Sequence, residues 1–156
     1  MKVGLISDTH GLVRAEALQA LAGSDFIIHA GDIGDQAVIE RLCEIAPVTA
    51  VRGNNDTGAW AAQIPETNVL DANGIRFFVL HSVKDLDIDP AVAGFQAVVS
   101  GHSHRPEIHV REGVLFINPG SAGPRRFRLP ISVAIVVCRD GRLAPNLVEL
   151  TPSGFP

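Results

Sequence analysis

The 156-residue sequence has only two cysteines, Cys43 and Cys138, and neither stands in a C-x-x-C spacing. That excludes a thiolate zinc site and a disulfide framework. Cys43 falls on a helical pattern and Cys138 closes an apolar strand, so both read as small buried hydrophobes of a protein in a reducing cytosol. No segment approaches the roughly 20 apolar residues of a membrane span. The opening run Val3–Ile6 is too short for a signal-peptide core and leads straight into Ser7-Asp8. A cytoplasmic protein with no membrane partner is expected. Basic excess is also missing: 13 Lys and Arg face 17 Asp and Glu, giving a net charge of −4 and a pI near 5.8. A broad footprint for nucleic acid is therefore excluded. Arg125-Arg126-Phe127-Arg128 is one short basic cluster, which reads as a solvated loop. There is no repeat, low-complexity run or linker, and 46% of residues are hydrophobic, so residues 1–156 read as one domain with a substantial core.

Apolar periodicity then supplies the elements. Val3–Ile6 predicts a buried strand, Leu12–Ala22 a helix stopped by Gly23, and Phe26–Ile28 a second strand. Asp35–Ala46 predicts a second helix with Asp35 as N-cap, and Pro47–Val51 a third strand. This β-α-β-α-β order favours a parallel sheet. Beyond Pro65 the pattern shortens. Thr67–Asp71 and Ile75–Leu80 flank Asn73-Gly74, a hairpin signal. Asp89–Ala93 predicts a short helix with Pro90 in its first turn. Ala97–Ser100, Glu107–Arg111 and Val114–Ile117 read as strands, the last two joined across Glu112-Gly113. Ile131–Cys138 and Arg142–Leu150 form a final hairpin around Asp140-Gly141. The later half is thus mostly antiparallel, and two packed sheets with helices outside follow. The strand Ile131–Val137 suits either the core or pairing in a homo-oligomer.

The ionisable residues fall where the strands end. Asp8 and His10 follow the first strand, Asp32 the second, Asn54 and Asp56 the third, His81 the hairpin strand, and His102 and His104 a later one. Ligands of α/β sheets bind at the carboxyl ends of strands. Taken singly, each of these is an ordinary cap, turn or surface histidine; recurring in order after buried strands, they form a site. Alternate residues of an extended chain point to one side about 7 Å apart, which suits His102 and His104 to a two-ion centre. Carboxylates and imidazoles without thiolate fit Mn²⁺, Fe, Ni²⁺ or Zn²⁺. Seven of these side chains, all but Asp56, form a donor set that exceeds what one ion needs and fits two that share a carboxylate.

The order Asp8-x-His10, Gly31-Asp32, Gly53-Asn54-Asn55-Asp56, His81 and Gly101-His102-Ser103-His104 resembles the calcineurin-like metallophosphoesterases. Leu5–Gly11, His29–Ile33, Val51–Asp56, Ser100–Pro106 and Ile117–Ser121 are similar to the small YfcE-type phosphodiesterases, and the likeness runs from about Lys2 to Leu150. The resemblance implies an α/β fold, a four-layer αββα sandwich of two mixed sheets flanked by helices. It implies two divalent metals, manganese first. Asp8, His10, Asp32 and His104 would hold one, Asp32, Asn54, His81 and His102 the other, with Asp32 as bridge and a bridging hydroxide as nucleophile. A small phosphodiester is the implied substrate. Asn55 and Arg105 are read as substrate-binding, since Arg matches phosphate geometry. For Arg125 and Arg126 the same role stands beside that of loop arginines. Asp56 is read as orienting a neighbouring ligand.

Two positions depart from the pattern. Asn55 stands where many of these enzymes carry a histidine that protonates the leaving group, and Val83 replaces the second histidine of a Thr-His-Gly-His run. An amide cannot act as that acid. The expectation is a modest enzyme that favours diesters with good leaving groups. The alternative is a non-catalytic scaffold like the retromer subunit that resembles this fold, though such scaffolds tend to lose metal histidines. A metal-dependent amidohydrolase is excluded because it needs a barrel of about 250 residues with His-x-His early in the chain.

Overall fold

The first sheet grows from three short buried runs. β1 (Lys2–Ile6), β2 (Phe26–His29) and β3 (Val48–Ala50) pair in parallel, and β9 (Ser132–Arg139) then β10 (Arg142–Glu149) extend it antiparallel in the order β10-β9-β1-β2-β3. A second sheet has the order β4-β5-β6-β8-β7. Its strands are β4 (Thr67–Ala72), β5 (Ile75–Leu80), β6 (Ala97–Val99), β7 (Glu107–Arg111) and β8 (Val114–Asn118). The hairpin turns take the conformation their residues favour: Asn73-Gly74, Glu112-Gly113 and Asp140-Gly141 all have positive φ. This description comes from a computed structural model covering residues 1–153. The last three positions of the 1–156 span lie outside the described residues.

The sheets pack face to face over one apolar core, with Val3, Leu5, Ile28 and Val136 from the first meeting Phe77, Val79, Val99 and Ile117 from the second. α1 (Ala15–Leu21) and α2 (Gln36–Cys43) cover the outer face of the first sheet, burying Ala17, Leu21, Val38 and Leu42 against Ile6, Ile27 and Val133. The outer face of the second sheet buries Phe78, Leu80, Phe95, Val98 and Phe116 under the chain between residues 81 and 96. That cover is turns and one short 3-10 helix, Val83–Asp85, so the fourth layer of this α/β sandwich is thin.

Several expectations change. The helix read over Leu12–Ala22 begins only at Ala15, because Leu12 N–H bonds to the Thr9 carbonyl at 2.9 Å and Gly11 N–H to Ile33. Those bonds spend the backbone on shaping the loop around His10. α2 keeps its cap, with Asp35 accepting from Ala37 N–H at 2.9 Å, but ends at Cys43. Cys43 is therefore exposed at the helix end, and only Cys138 is the buried hydrophobe expected of both. Asp89–Ala93 is no helix but a turn closed by Ala93 N–H to Asp89, with Gly94 in a left-handed conformation. The later half is also less antiparallel than it reads: β5, β6 and β8 run parallel. That parallel core brings the carboxyl ends of β5, β6 and β8 to one rim, beside those of β1, β2 and β3.

Candidate metal centre

Six strands deliver polar loops to this rim. β1 leads to Asp8 and His10, β2 to Asp32, β3 to Asn54–Asp56, β5 to His81, β6 to His102 and His104, and β8 to Asn118. Among the described residues two groups of side chains converge closely enough to grip an ion: Asp8, His10 and His104, and Asp8, Asp32 and His81. Asp32 Oδ2 lies 3.4 Å from His81 Nε2 and 3.8 Å from His10 Nε2. Asp8 Oδ1 lies 3.3 Å from His104 Nε2 and 3.9 Å from His81 Nε2. Both carboxylates therefore stand between histidines. His102 and Asn54 are more exposed and sit at the edge, the His102 ring 5.1 Å from that of His81.

The backbone here is unusual. Asp8, His10, Asp32, His102 and His104 all adopt φ between 47° and 70°. A residue with a Cβ is strained in that region, and such strain persists only where the surroundings enforce it. Three tight contacts do so. A Cβ on Gly101 would meet Asp8 Oδ2 at 2.6 Å, and one on Gly31 would meet His81 Nδ1 at 2.6 Å. One on Gly53 would strike the backbone and carboxylate of Asp32. Glycine before His102 thus serves the approach of the first ligand loop rather than a turn.

Hydrogen bonds fix the acceptors. Asn55 donates to both oxygens of Asp32, its backbone N–H to Oδ1 and its Nδ2 to Oδ2, each at 2.9 Å. The amide assigned to substrate is thus committed to a carboxylate. Asp8 Oδ2 accepts from Ser7 Oγ at 2.7 Å and from His102 N–H at 3.1 Å. His81 Nδ1 lies 2.7 Å from the Ala30 carbonyl, which can only accept, so Nδ1 carries the proton and Nε2 presents a lone pair to the carboxylates. Asp56, buried, makes no hydrogen bond to a ligand side chain among the described residues: it accepts from Ile33, Gly34 and Gly53 N–H, holding the loops that carry Asp32 and Asn54. Arg105 is exposed and unpaired among the described residues.

Electrostatics favour ionised carboxylates. Burial raises the Asp8 pKa, but His104, Ser7 and His81 outweigh it and the net shift is downward. Asp32 is likewise lowered against its burial by His81 and Asn55. Burial pulls the His81 pKa down, yet Asp32, the Ala30 carbonyl and Asp8 raise it overall. For His10 burial prevails: with the charges of Arg126 and His104 it outweighs Asp32 and Asp8, and the pKa falls.

Further supports stand outside the seven candidate ligands. His29 is fully buried; its Nδ1 accepts from Gly31 N–H at 3.2 Å and its Nε2 meets Thr9 Oγ1 at 2.9 Å, while Thr9 donates to the Ile33 carbonyl. Asn118 donates to the Gly101 carbonyl at 2.9 Å, and Ser121 to that of Asp8 at 3.0 Å. What marks each in the sequence is a polar residue at the end of a buried strand.

Residues 1–141 match the model of the calcineurin-like phosphoesterase superfamily domain. A probable metallophosphoesterase of Methanocaldococcus jannaschii is 30% identical over 96% of this chain and 82% of its own length. A phosphodiesterase of the same archaeon is 28% identical over 77% of this chain and 83% of its own. Vps29 of Chaetomium thermophilum shares the fold, with a TM-score of 0.75, 19% identity and coverage of 97% of this chain and 99% of that one. This chain belongs to the calcineurin-like phosphoesterase superfamily.

Proposed function

We propose that this protein is a metal-dependent phosphodiesterase working at a two-ion centre, a single domain over residues 1–156 acting in the cytoplasm. One observation carries the reading. Asp8 Oδ1, His10 Nε2, His81 Nε2 and His104 Nδ1 are buried at the rim and make no hydrogen bond. Buried polar atoms normally find partners, and orphaned oxygen and nitrogen donors on four residues of one rim fit divalent cations. Asp8, His10, Asp32 and His104 would hold one ion, and Asp32, Asn54, His81 and His102 the other. The position of Asp32 Oδ2 between His10 and His81 supports its role as bridge. Two divalent ions supply Lewis acidity toward a phosphoryl oxygen and lower the pKa of bound water.

The chain's own contribution is to keep these donors ready. Asn55 and Ser7 hold the carboxylates ionised, Ala30 fixes the His81 tautomer, and Arg105 steers the anionic substrate from the rim. Asn55 cannot protonate a leaving group and is engaged with Asp32. Val83 offers no proton either. Diesters with stable leaving anions are therefore the preferred substrates.

The test is metal analysis of the purified protein beside hydrolysis of bis-p-nitrophenyl phosphate with Mn²⁺, Ni²⁺, Fe²⁺ or Zn²⁺. Bound metal, turnover, and loss of both in Asp32→Ala are expected. No turnover with any metal, and unchanged metal content in Asp32→Ala, would overturn the reading in favour of a scaffold, a role that the fold shared with Vps29 keeps in view.

A further inference from the structure

Two clefts open on the rim and share one wall. The smaller, of about 370 Å³, is lined by Val83, His109, Phe116 and Ile117, with polar Glu107 and Asn118 alongside. The exposed His109 ring lies parallel on buried Phe116, 5.1 Å between centroids and 8° between planes, and pairs through Nδ1 with Glu107 at 3.4 Å, so this cleft presents one flat imidazole face. The larger, of about 510 Å³, is lined by Arg52, Glu66, Asp85 and Asp87 together with Asn54 and His81. Arg52 pairs with Glu66 at 3.1 Å, which leaves Asp85 and Asp87 as acceptors without a cation among the described residues. Ser82, Lys84 and His102 line both clefts. Lys84 is exposed, and no ion pair or hydrogen bond holds its ammonium among the described residues.

A phosphodiester carries its phosphorus between two organic arms. Placed beside His102, such a group would have one cleft for each arm and the Lys84 ammonium for a phosphoryl oxygen. The linings are unlike: one presents the flat His109 ring beside exposed Val83, suited to stacking on a ring, and the other carries carboxylate acceptors suited to hydroxyl donors. We propose that the site selects unsymmetrical phosphodiesters, with an aromatic arm in the Val83–His109–Phe116 cleft, a hydroxylated arm in the Asp85–Asp87 cleft, and Lys84 gripping the phosphate from their common wall. The inference rests on the diesterase reading above and adds to it a substrate class.

The test reads binding rather than turnover, with single-armed phosphates titrated calorimetrically into the Mn²⁺-loaded full chain. Phenyl phosphate carries only the aromatic arm and glycerol 3-phosphate only the hydroxylated one. Val83 and Thr67 are exposed wall residues of the smaller and larger cleft, so a tryptophan at either fills a cleft without entering the core. Val83→Trp is expected to weaken phenyl phosphate about tenfold, the scale of one lost apolar contact surface, and to leave glycerol 3-phosphate unchanged. Thr67→Trp should do the reverse. His109→Ala, which removes a stacked ring, should repeat the first pattern, and Lys84→Met should weaken both compounds and inorganic phosphate alike. Equal effects of both tryptophans on both compounds, or no effect of either, would overturn the two-arm assignment. Bis-p-nitrophenyl phosphate turnover by the wild type, run in parallel, separates the readings: turnover with indifferent tryptophans sinks only this inference, and absent turnover sinks the diesterase reading.

Discussion

Asn55 holds Asp32 by both oxygens, with backbone N–H to Oδ1 and side-chain Nδ2 to Oδ2, each at 2.9 Å. In Asn55→Ala the backbone bond survives and the side-chain bond is lost. Metal affinity is then expected to fall about 10- to 100-fold, the usual effect of losing a group that orients a ligand. Asn55→Asp should cost more, because a second carboxylate would face Asp32. Mn²⁺ titration by calorimetry reads both, and unchanged affinity in either variant would show that the clamp is dispensable.

Asp56 ties three backbone N–H groups from two loops. Asp56→Ala leaves buried donors without an acceptor, at about 2–4 kcal/mol of stability, since charged hydrogen bonds are the stronger kind. Asp56→Asn keeps one acceptor oxygen and should lose less. Urea unfolding of the metal-free protein distinguishes them, and equal stability of all three proteins would contradict the tie.

Burial lowers the His29 pKa from 6.5 to about 4. The folded protein thus keeps this imidazole neutral while the unfolded chain protonates it below 6.5. Its contribution to stability is complete above pH 6.5 and is lost as pH falls toward 4, amounting to about 3–4 kcal/mol at 1.4 kcal/mol per unit. His10, also lowered, adds slope in the same window. His29→Phe should flatten the metal-free stability profile between pH 4 and 6.5. A slope equal to that of the wild type would refute the assignment.

Gly101 and Gly113 make a controlled pair. Gly101 has no positive φ but faces Ser7 and Asp8, whereas Gly113 has a φ of 77° and open space around it. Gly101→Ala should displace Asp8 and abolish tight metal binding in a folded protein. Gly113→Ala should cost about 1 kcal/mol of backbone strain and leave metal affinity alone. Equal metal affinity in the two variants would show that the crowding at Gly101 is harmless.

With an amide at position 55 and an aliphatic side chain at position 83, rates on a series of alkyl and aryl diesters should drop steeply as the leaving-group pKa rises. Val83→His places an imidazole on an exposed wall next to Ser82 and Lys84, and should flatten that dependence. Parallel lines for the two proteins would remove the missing-acid account.

Much of this centre was legible because its chemistry stands directly after buried strands. Asp8, Asp32 and His81 can be read from the sequence since the apolar runs before them fix where each strand ends. Strand pairing was harder: β5, β6 and β8 lie far apart in sequence, and local patterns do not report which neighbours they take. The short helix read at Asp89–Ala93 failed because Gly94 ends it after one turn. Cys43 was misplaced because a helix terminus turns an inward position outward. The double hold of Asn55 on Asp32 had no sequence signal, since a Gly-Asn-Asn turn looks the same with or without a partner 23 residues away.

The side chains at the rim come from both sheets, Asp8, His10 and Asp32 from one and His81, His102 and His104 from the other. An ion gripped among them is therefore a rivet through the seam of the sandwich. At the opposite end of the seam the only polar tie to the second sheet's first hairpin is a loose one, from Asn73 Nδ2 to Met1 Sδ at 3.6 Å among the described residues. Chelation should accordingly loosen one end of the molecule and leave the other as it was, with amide exchange quickening at Ser7, Leu80 and Ser100 while Lys2 and Arg76 keep their rates.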